Sequence, residues 1–185
     1  MSEHKKIDED KIAQVVAAPV HYQYLDHTAD VQLHAWGDSL EEAIQQLVIS
    51  LYGYMTLEIS SVQYVYSMDF TATGHDLFSL LYNLLDVCLY NFSTEPFFIG
   101  SSACVLDLRH DIASGEEEFS IHLRVWGESF DLKKHPPGTE VKAITYSNMQ
   151  IIVGEQKLLP NREESQKVLN EGKNNKTEIF VIIDI

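Results

Sequence analysis

The residues able to do chemistry gather near the two ends of this chain. Tyr24-Leu25-Asp26-His27-Thr28-Ala29-Asp30 interrupts an apolar-alternating run with two acids and a histidine, and Val181-Ile182-Ile183-Asp184-Ile185 closes an apolar run with a carboxylate and the end of the sequence. An ionised carboxylate at the edge of a core costs several kcal/mol or titrates away unless a cation or hydrogen bonds compensate it. A hard divalent cation is one compensation, since carboxylate oxygens suit calcium or magnesium, and no Cys or His cluster nearby suggests a softer metal. An Asx-turn or a capped backbone N–H is the other. Asp30, Asp184 and the Ile185 carboxylate form the sharpest constellation, and they meet only if the last strand pairs beside the second. Asp26 is expected to hold the turn or orient those carboxylates. His27 reads as a ligand, a general base or a histidine bonded to backbone, the last being commonest. Lys142 reads as a surface lysine lying past Ile144 and Tyr146, or as a cation facing the carboxylates or a partner's phosphate.

Several function classes lack their signatures. No G-x-S-x-G, G-x-x-x-x-G-K-[ST] or G-x-G-x-x-G occurs, and the eight histidines show no H-E-x-x-H spacing. Cys88 and Cys104 sit in apolar segments without C-x-x-C spacing, which favours free buried thiols. The formal net charge of -15 argues against binding nucleic acid alone and favours a basic protein partner. The N-terminus leads into acids instead of an apolar stretch, and no run has the length and apolarity of a membrane span. A cytoplasmic or nuclear protein is the expectation.

The elements that must position these groups follow from periodicity. A chain of 185 residues with 45% hydrophobic content suits one domain, with residues 1–18 as a tail and 19–185 as the folded part. Val20 to Tyr24 reads as a strand, Asp26-His27-Thr28 as its break, and Val31 to Trp36 as a second strand. Ser39-Leu40-Glu41-Glu42 is a capping box opening a helix whose apolar face is Leu40, Ala43, Ile44, Leu47, Val48 and Leu51, with Gly53 near its end. Val62 to Phe70 alternates as a strand. Asp76 opens a second helix with Leu77, Leu80, Leu81, Leu84, Leu85, Cys88 and Leu89 inward. Strands follow from about Ala103 to Leu108, from Phe119 to Val125, along Val141 to Val153, and from Ile179 to Ile183, the Ser114-Gly115-Glu116 turn joining the first two as a hairpin. Phe180 to Ile183, apolar throughout, fits a strand covered on both faces. Gly154 to Glu178 reads as a long polar insertion with an open loop at Gly172-Lys173-Asn174-Asn175. Val31 to Leu40 and Ile121 to Phe130 share a Trp-Gly-acid-Ser ending, one short echo and not a repeat. The expected fold class is α+β: two helices packed on largely antiparallel sheets in a single domain.

Tyr22-x-Tyr24-Leu-Asp-His-Thr-Ala-Asp-Val31, Trp36-Gly37-Asp38-Ser39-Leu40-Glu41-Glu42-Ala43, Gly127-Glu128, His135-Pro136, Glu140-Val141-Lys142-Ala143-Ile144-Thr145-Tyr146 and Val181-Ile182-Ile183-Asp184-Ile185 occur in that order. Together they resemble the archease family from about Tyr22 onward, with a longer polar connection than usual at 154–178. The resemblance implies metal ligation by Asp30, Asp184 and Ile185, with Asp26, His27 and Lys142 supporting the site or facing a partner. It implies a divalent cofactor, calcium favoured and magnesium or manganese as alternatives. It further implies an accessory protein, without catalysis of its own, for the tRNA-splicing RNA ligase complex. Such a protein promotes ligase guanylylation and multiple turnover, and meets tRNA only indirectly and a membrane not at all. A stand-alone metal-dependent hydrolase with His27 as base, and a chaperone-like modulator of a tRNA-modifying enzyme, are the alternatives.

Overall fold

The computed structural model describes residues 19–111 and 118–185. The expected tail at 1–18 and the Ser114-Gly115-Glu116 turn lie outside the described residues. Strands β1 (Tyr22–His27) and β2 (Asp30–Gly37) form a tight hairpin, followed by helix α1 (Leu40–Met55) and a single turn of 3-10 helix at Ile59–Ser61. Strand β3 (Tyr66–Gly74), helix α2 (Leu77–Ser93) and the long strands β4 (Phe98–Asp111) and β5 (Glu118–Ser129) come next. The chain then forms β6 (Ala143–Ile144), β7 (Gln150–Val153), β8 (Gln156–Lys157), helix α3 (Arg162–Lys167), a wider π-type turn at Val168–Gly172, and β9 (Thr177–Asp184).

These strands make two sheets, and every pairing is antiparallel. One runs β1-β2-β9-β7-β8 with β6 also on β9, and the other runs β3-β5-β4. Helix α1 packs on β2 of the first sheet and β4 of the second, and α2 packs mainly on β3. The expected α+β single domain of helices on antiparallel sheets is therefore the fold, with α3 added to the two helices foreseen.

Both long helices form where the apolar spacing demands. All the named stripe residues of α1 and α2 are buried, and each buried Leu or Ile contributes roughly 1.5–3 kcal/mol of transfer free energy. Ser39 caps α1 by accepting the Glu42 N–H at 3.2 Å. The Glu42 carboxylate reaches back one residue further than a capping box requires, to the Asp38 N–H at 2.8 Å. Asp76 and Ser79 complete a reciprocal capping box at α2.

Several expected boundaries move. Gly53 lies inside α1, which runs on to Met55, because the helix there presses on β1: a Cβ at Gly53 would sit 2.8 Å from the Tyr24 hydroxyl oxygen. Val62 to Val65 is not strand, because the Val62 N–H closes the 3-10 turn on Ile59 O and the Gln63 N–H is taken by the Glu128 carboxylate at 2.6 Å. The continuous strand expected over Val141 to Val153 is two strands, β6 and β7. Asn148 at φ 50 turns the chain between them, and each then pairs with a different part of β9. Strand β4 starts earlier than expected and carries register shifts at Gly100/Ser102 and Val105/Asp107, which blur its two-residue alternation.

The 154–178 segment departs most from expectation. Its Leu158, Val168 and Leu169 are buried, and it supplies partners to both long helices. Ser165 Oγ accepts the Leu77 N–H at 2.9 Å and the Lys173 carbonyl accepts the Leu40 N–H at 2.8 Å. Each satisfies a backbone donor that a helix start would otherwise leave orphaned.

The Trp-Gly echo has two different causes. Gly37 ends β2 where a Cβ would strike Glu42 at the start of α1, whereas Gly127 lies within β5, where a Cβ would come 1.9 Å from the Ile99 backbone oxygen. A strand backbone flanked on both sides cannot retreat. Gly127→Ala is expected to destabilise the fold by about 1–3 kcal/mol, seen as a lower urea midpoint with an unchanged slope.

Candidate metal-binding edge and its supports

The Asp26-His27-Thr28-Ala29-Asp30 segment is a hairpin tip. Asp26 and His27 remain in β1, and the chain reverses at Thr28-Ala29, not at the expected Asp26-His27-Thr28 break. Ala29 takes a left-handed φ of 64, a conformation costing an L-residue roughly 1–2 kcal/mol. His27 is paired with Asp30 across the hairpin, its Nδ1 lying 4.0 Å from Asp30 Oδ2.

Strand β9 brings the other end of the sequence to this tip. The β2–β9 register runs Val31↔Ile183, Leu33↔Val181, Ala35↔Ile179, so one step further sets Asp30 across from Asp184. Val31 and Ile183 face the core and are buried. By strand alternation Asp30 and Asp184 both point to the opposite face, Asp30 part-buried and Asp184 exposed. Directly opposed residues have Cβ atoms about 4.5–5.5 Å apart, within bridging distance for one ion. The pairing of β9 beside β2, which a meeting of Asp30 and Asp184 requires, is thus present.

Lys142 lies on the other flank of β9. Its N–H donates to Asp184 O at 2.9 Å, and its exposed ammonium donates to the Ile185 backbone oxygen at 2.9 Å. Lys142 therefore holds the last residue of the sequence beside the acid pair. Asp26 is exposed and faces away from Asp30 along the hairpin.

Two residues that sequence reasoning passed over share this face. Gln32 and Thr145 flank Ile182, on β2 and just after β6 respectively: the register pairs Gln32 with Ile182, and the Thr145 N–H donates to Ile182 O at 3.0 Å. Gln32 Nε2 and Thr145 Oγ1 are buried without a hydrogen-bond partner. Gln32 stands two residues from Asp30 on one strand, an i, i+2 relation that alternation alone would have flagged.

Among the described residues no three His, Cys, Asp or Glu side chains group closely enough to hold a metal. The donor set nevertheless fits a hard cation of open coordination. Asp30 and Asp184 supply two carboxylates, Ile185 a third oxygen source, and orphaned polar atoms lie one row away. Magnesium commonly takes one or two protein carboxylates and leaves its other positions to water or phosphate.

A second cluster steers the segment that delivers Lys142. Glu128 at the end of β5 accepts from Gln63 N at 2.6 Å and from Lys134 Nζ at 2.7 and 2.6 Å. His135 is fully buried. Its Nδ1 accepts the Asp131 N–H at 2.9 Å, which leaves the proton on Nε2 to meet Glu128 Oε1 at 3.2 Å. The chain turns at Leu132–Lys134, where the Lys134 and His135 N–H groups both donate to Asp131 O, and the segment is pinned by a charged network that no local spacing announced. Thr56 anchors the far side, its hydroxyl donating to Pro136 O at 2.8 Å.

A two-sheet α+β domain with an acidic strand edge is the class of protein defined here. The Archease protein family (MTH1598/TM1083) model matches residues 22–185, and the chain belongs to that family. The protein archease of Ictalurus punctatus is 44% identical over 164 residues, covering 89% of this chain and 85% of that protein. The archease-like protein of Drosophila melanogaster is 46% identical over 165 residues, covering 89% and 90%. The protein archease of Pyrococcus furiosus is 32% identical over 130 residues, covering 70% and 87%. The solution structure of Methanobacterium thermoautotrophicum protein 1598 shares the fold with a TM-score of 0.61 at 22% identity, covering 90% of this chain and all of that one. No helix among the described residues is long and apolar enough to cross a membrane.

The Glu128 network has a pH signature. Burial pushes its carboxyl up, but the Gln63 N–H, Lys134 and His135 outweigh that and hold it below the ordinary glutamate value of 4.5. A depressed folded pKa contributes stability that is full above the unfolded value and lost as pH falls through the folded one. The stability gap between wild type and Glu128→Gln, measured by urea unfolding, should be constant near neutrality and narrow below pH 4.5.

Proposed function

We propose that this protein is an accessory factor of a tRNA-splicing RNA ligase complex, promoting guanylylation of the ligase and its repeated turnover. The observation that supports the proposal is the β2–β9 pairing, whose register ends at Val31↔Ile183 next to Asp30 and Asp184, in a chain of the archease family. Asp30, Asp184 and the Ile185 carboxylate hold a divalent ion, calcium by preference and magnesium or manganese as alternatives. Such an ion neutralises phosphate charge where the protein meets the partner's nucleotide pocket.

The chain's own groups have separate tasks. Asp30 and Asp184 present two like charges side by side, an arrangement that favours capture of a cation. Lys142 fixes Ile185 at the rim and offers a positive point charge to a phosphate on the partner. His27 sits at the hairpin tip 4.0 Å from Asp30, which it orients, and the exposed Asp26 faces the partner. The formal charge of -15 suits a basic protein surface better than RNA, so tRNA is met only through the complex. The cytoplasm or nucleus is where such a factor would work.

His27 Nδ1 at 4.0 Å from Asp30 is the one observation favouring a metal-dependent hydrolase with His27 as base. That alternative requires the purified protein to cleave a simple phosphoester such as p-nitrophenyl phosphate, with a rate following a histidine titration.

In a ligase guanylylation assay, Asp30→Ala and a chain extended past Ile185 are each expected to lose at least about tenfold in stimulation. Full stimulation by both would remove the acid edge from the mechanism. Divalent-ion binding to the isolated protein, followed by calorimetry, should weaken in parallel for Asp30→Ala and Asp184→Ala.

A further inference from the structure

A second binding surface lies away from the acid edge. Strand β1 is one margin of its sheet and β4 one margin of the other, and α1 packs beneath both. Between the margins runs a groove of about 550 Å³, walled by Pro19–Tyr22 on one side and Ser101–Cys104 on the other, and lined also by Ile49 of α1 and by Ile59 and Val62. Apart from the Pro19 carbonyl and His21 N–H held by Gln46 and the Val105 N–H held by Gln45, the strand margins carry backbone donors and acceptors in the spacing an extended chain matches.

The lining has a definite chemistry. Asp38 and Glu42 stand in the wall and, among the described residues, no Lys or Arg does, so the local sign agrees with the overall charge of -15. Glu42 already accepts the Asp38 N–H, whereas the exposed Asp38 carboxylate lies open at the groove. Val20 is 68% exposed, an apolar residue left for an occupant to cover. Ser102, 5% exposed, lines the groove, and its buried hydroxyl has no partner. A small apolar ligand would leave the margins unsatisfied, whereas a polypeptide backbone brings donors and acceptors to them.

We infer that this groove receives an extended, lysine- or arginine-bearing segment of a protein partner. The segment adds as a strand to the margin of β1 or β4, sets alternate apolar side chains against Ile49 and Ile59, and places a cationic side chain against Asp38. The inference makes no use of the acid pair, of an ion or of the ligase assignment, and stands or falls apart from them.

The test uses the full chain and an immobilised library of synthetic peptides of about ten residues, apolar at alternate positions and graded from strongly acidic to strongly basic. Retention should rise with peptide positive charge. Asp38→Lys should lower retention of the basic peptides by about fivefold or more. Glu155→Lys, the same charge change at an exposed turn outside the groove, should leave it within about twofold. With a retained peptide in solution, amide hydrogen exchange at Val20–Tyr22 or Ser101–Cys104 should slow about tenfold or more. Retention indifferent to peptide charge overturns the inference. So does an equal loss from Glu155→Lys, which would mark diffuse attraction to an acidic protein, and so does unchanged exchange along both margins.

Discussion

The structure depends on the insertion of β9 between β2 on one side and β6 and β7 on the other. Val181 and Ile183 face the core at 0% exposure, and Ile182 on the opposite face is exposed by only 1%, so the strand is covered on both sides in the manner of a central strand. Its pairing with β2 joins segments from near opposite ends of the sequence, a closure that costs chain entropy, whereas β7 precedes it by little more than one short helix. Until β9 is seated, Asp30 has no neighbour across from it and Lys142 has no Ile185 oxygen to hold. Fold and acid edge are completed by the same event.

That coupling explains how two like charges persist side by side. At about 5 Å in water-like dielectric the Asp30–Asp184 repulsion is on the order of 1 kcal/mol, a small opposing force against the apolar burial that fixes the β2–β9 register. Because Asp184 is exposed, solvent carries most of its charge, and the pair does not need an ion in order to fold. The residual repulsion instead favours whatever cation arrives. The Glu128–Lys134–His135 network works on the opposite principle: its carboxylate is buried and fully compensated, and it acts only by fixing the path from β5 to Lys142. One set of charges is settled within the chain and the other is left to settle outside it.

How much of this was legible in the sequence depended on whether the signal was local. The stripes of α1 and α2, the Asp76 cap and the twice-covered run Val181 to Ile183 could be read because periodicity and capping are short-range. The encounter of Asp30 with Asp184 could be posed as a condition, since both acids end apolar strands, but the register that meets it is a long-range fact. The Val141 to Val153 run misled because both of its halves are apolar and pair with β9 in the same direction, and only Asn148, at a left-handed φ, marks the break between them. The 154–178 segment misled for another reason. Its composition is polar, yet Leu158, Val168, Leu169 and Ser165 are the residues that touch the body of the protein, and sparse anchors do not register in an average. The role of His135 was not legible because its partner, Glu128, precedes the turn on another element.

The acid edge and the groove are joined by β1. Its first residue, Tyr22, lines the groove and its last, His27, pairs with Asp30, so the two surfaces lie roughly 17 Å apart at the strand rise of about 3.3 Å per residue. That span is small beside a standard protein interface of about 800 Å² per partner, and one partner can cover both. Binding at one end would then raise the effective concentration of such a partner at the other, so that a strand addition of the proposed kind in the groove would strengthen the proposed contact at the hairpin tip. A substitution in the groove and one at the acid edge would then be non-additive in the assembled complex, although neither residue touches the other. Strand β1 is suited to carry that relation because it is anchored along its length, by Gln46 to the His21 N–H, by the Tyr24 hydroxyl to Ser50 O and by its ladder to β2, so its two ends keep a fixed separation.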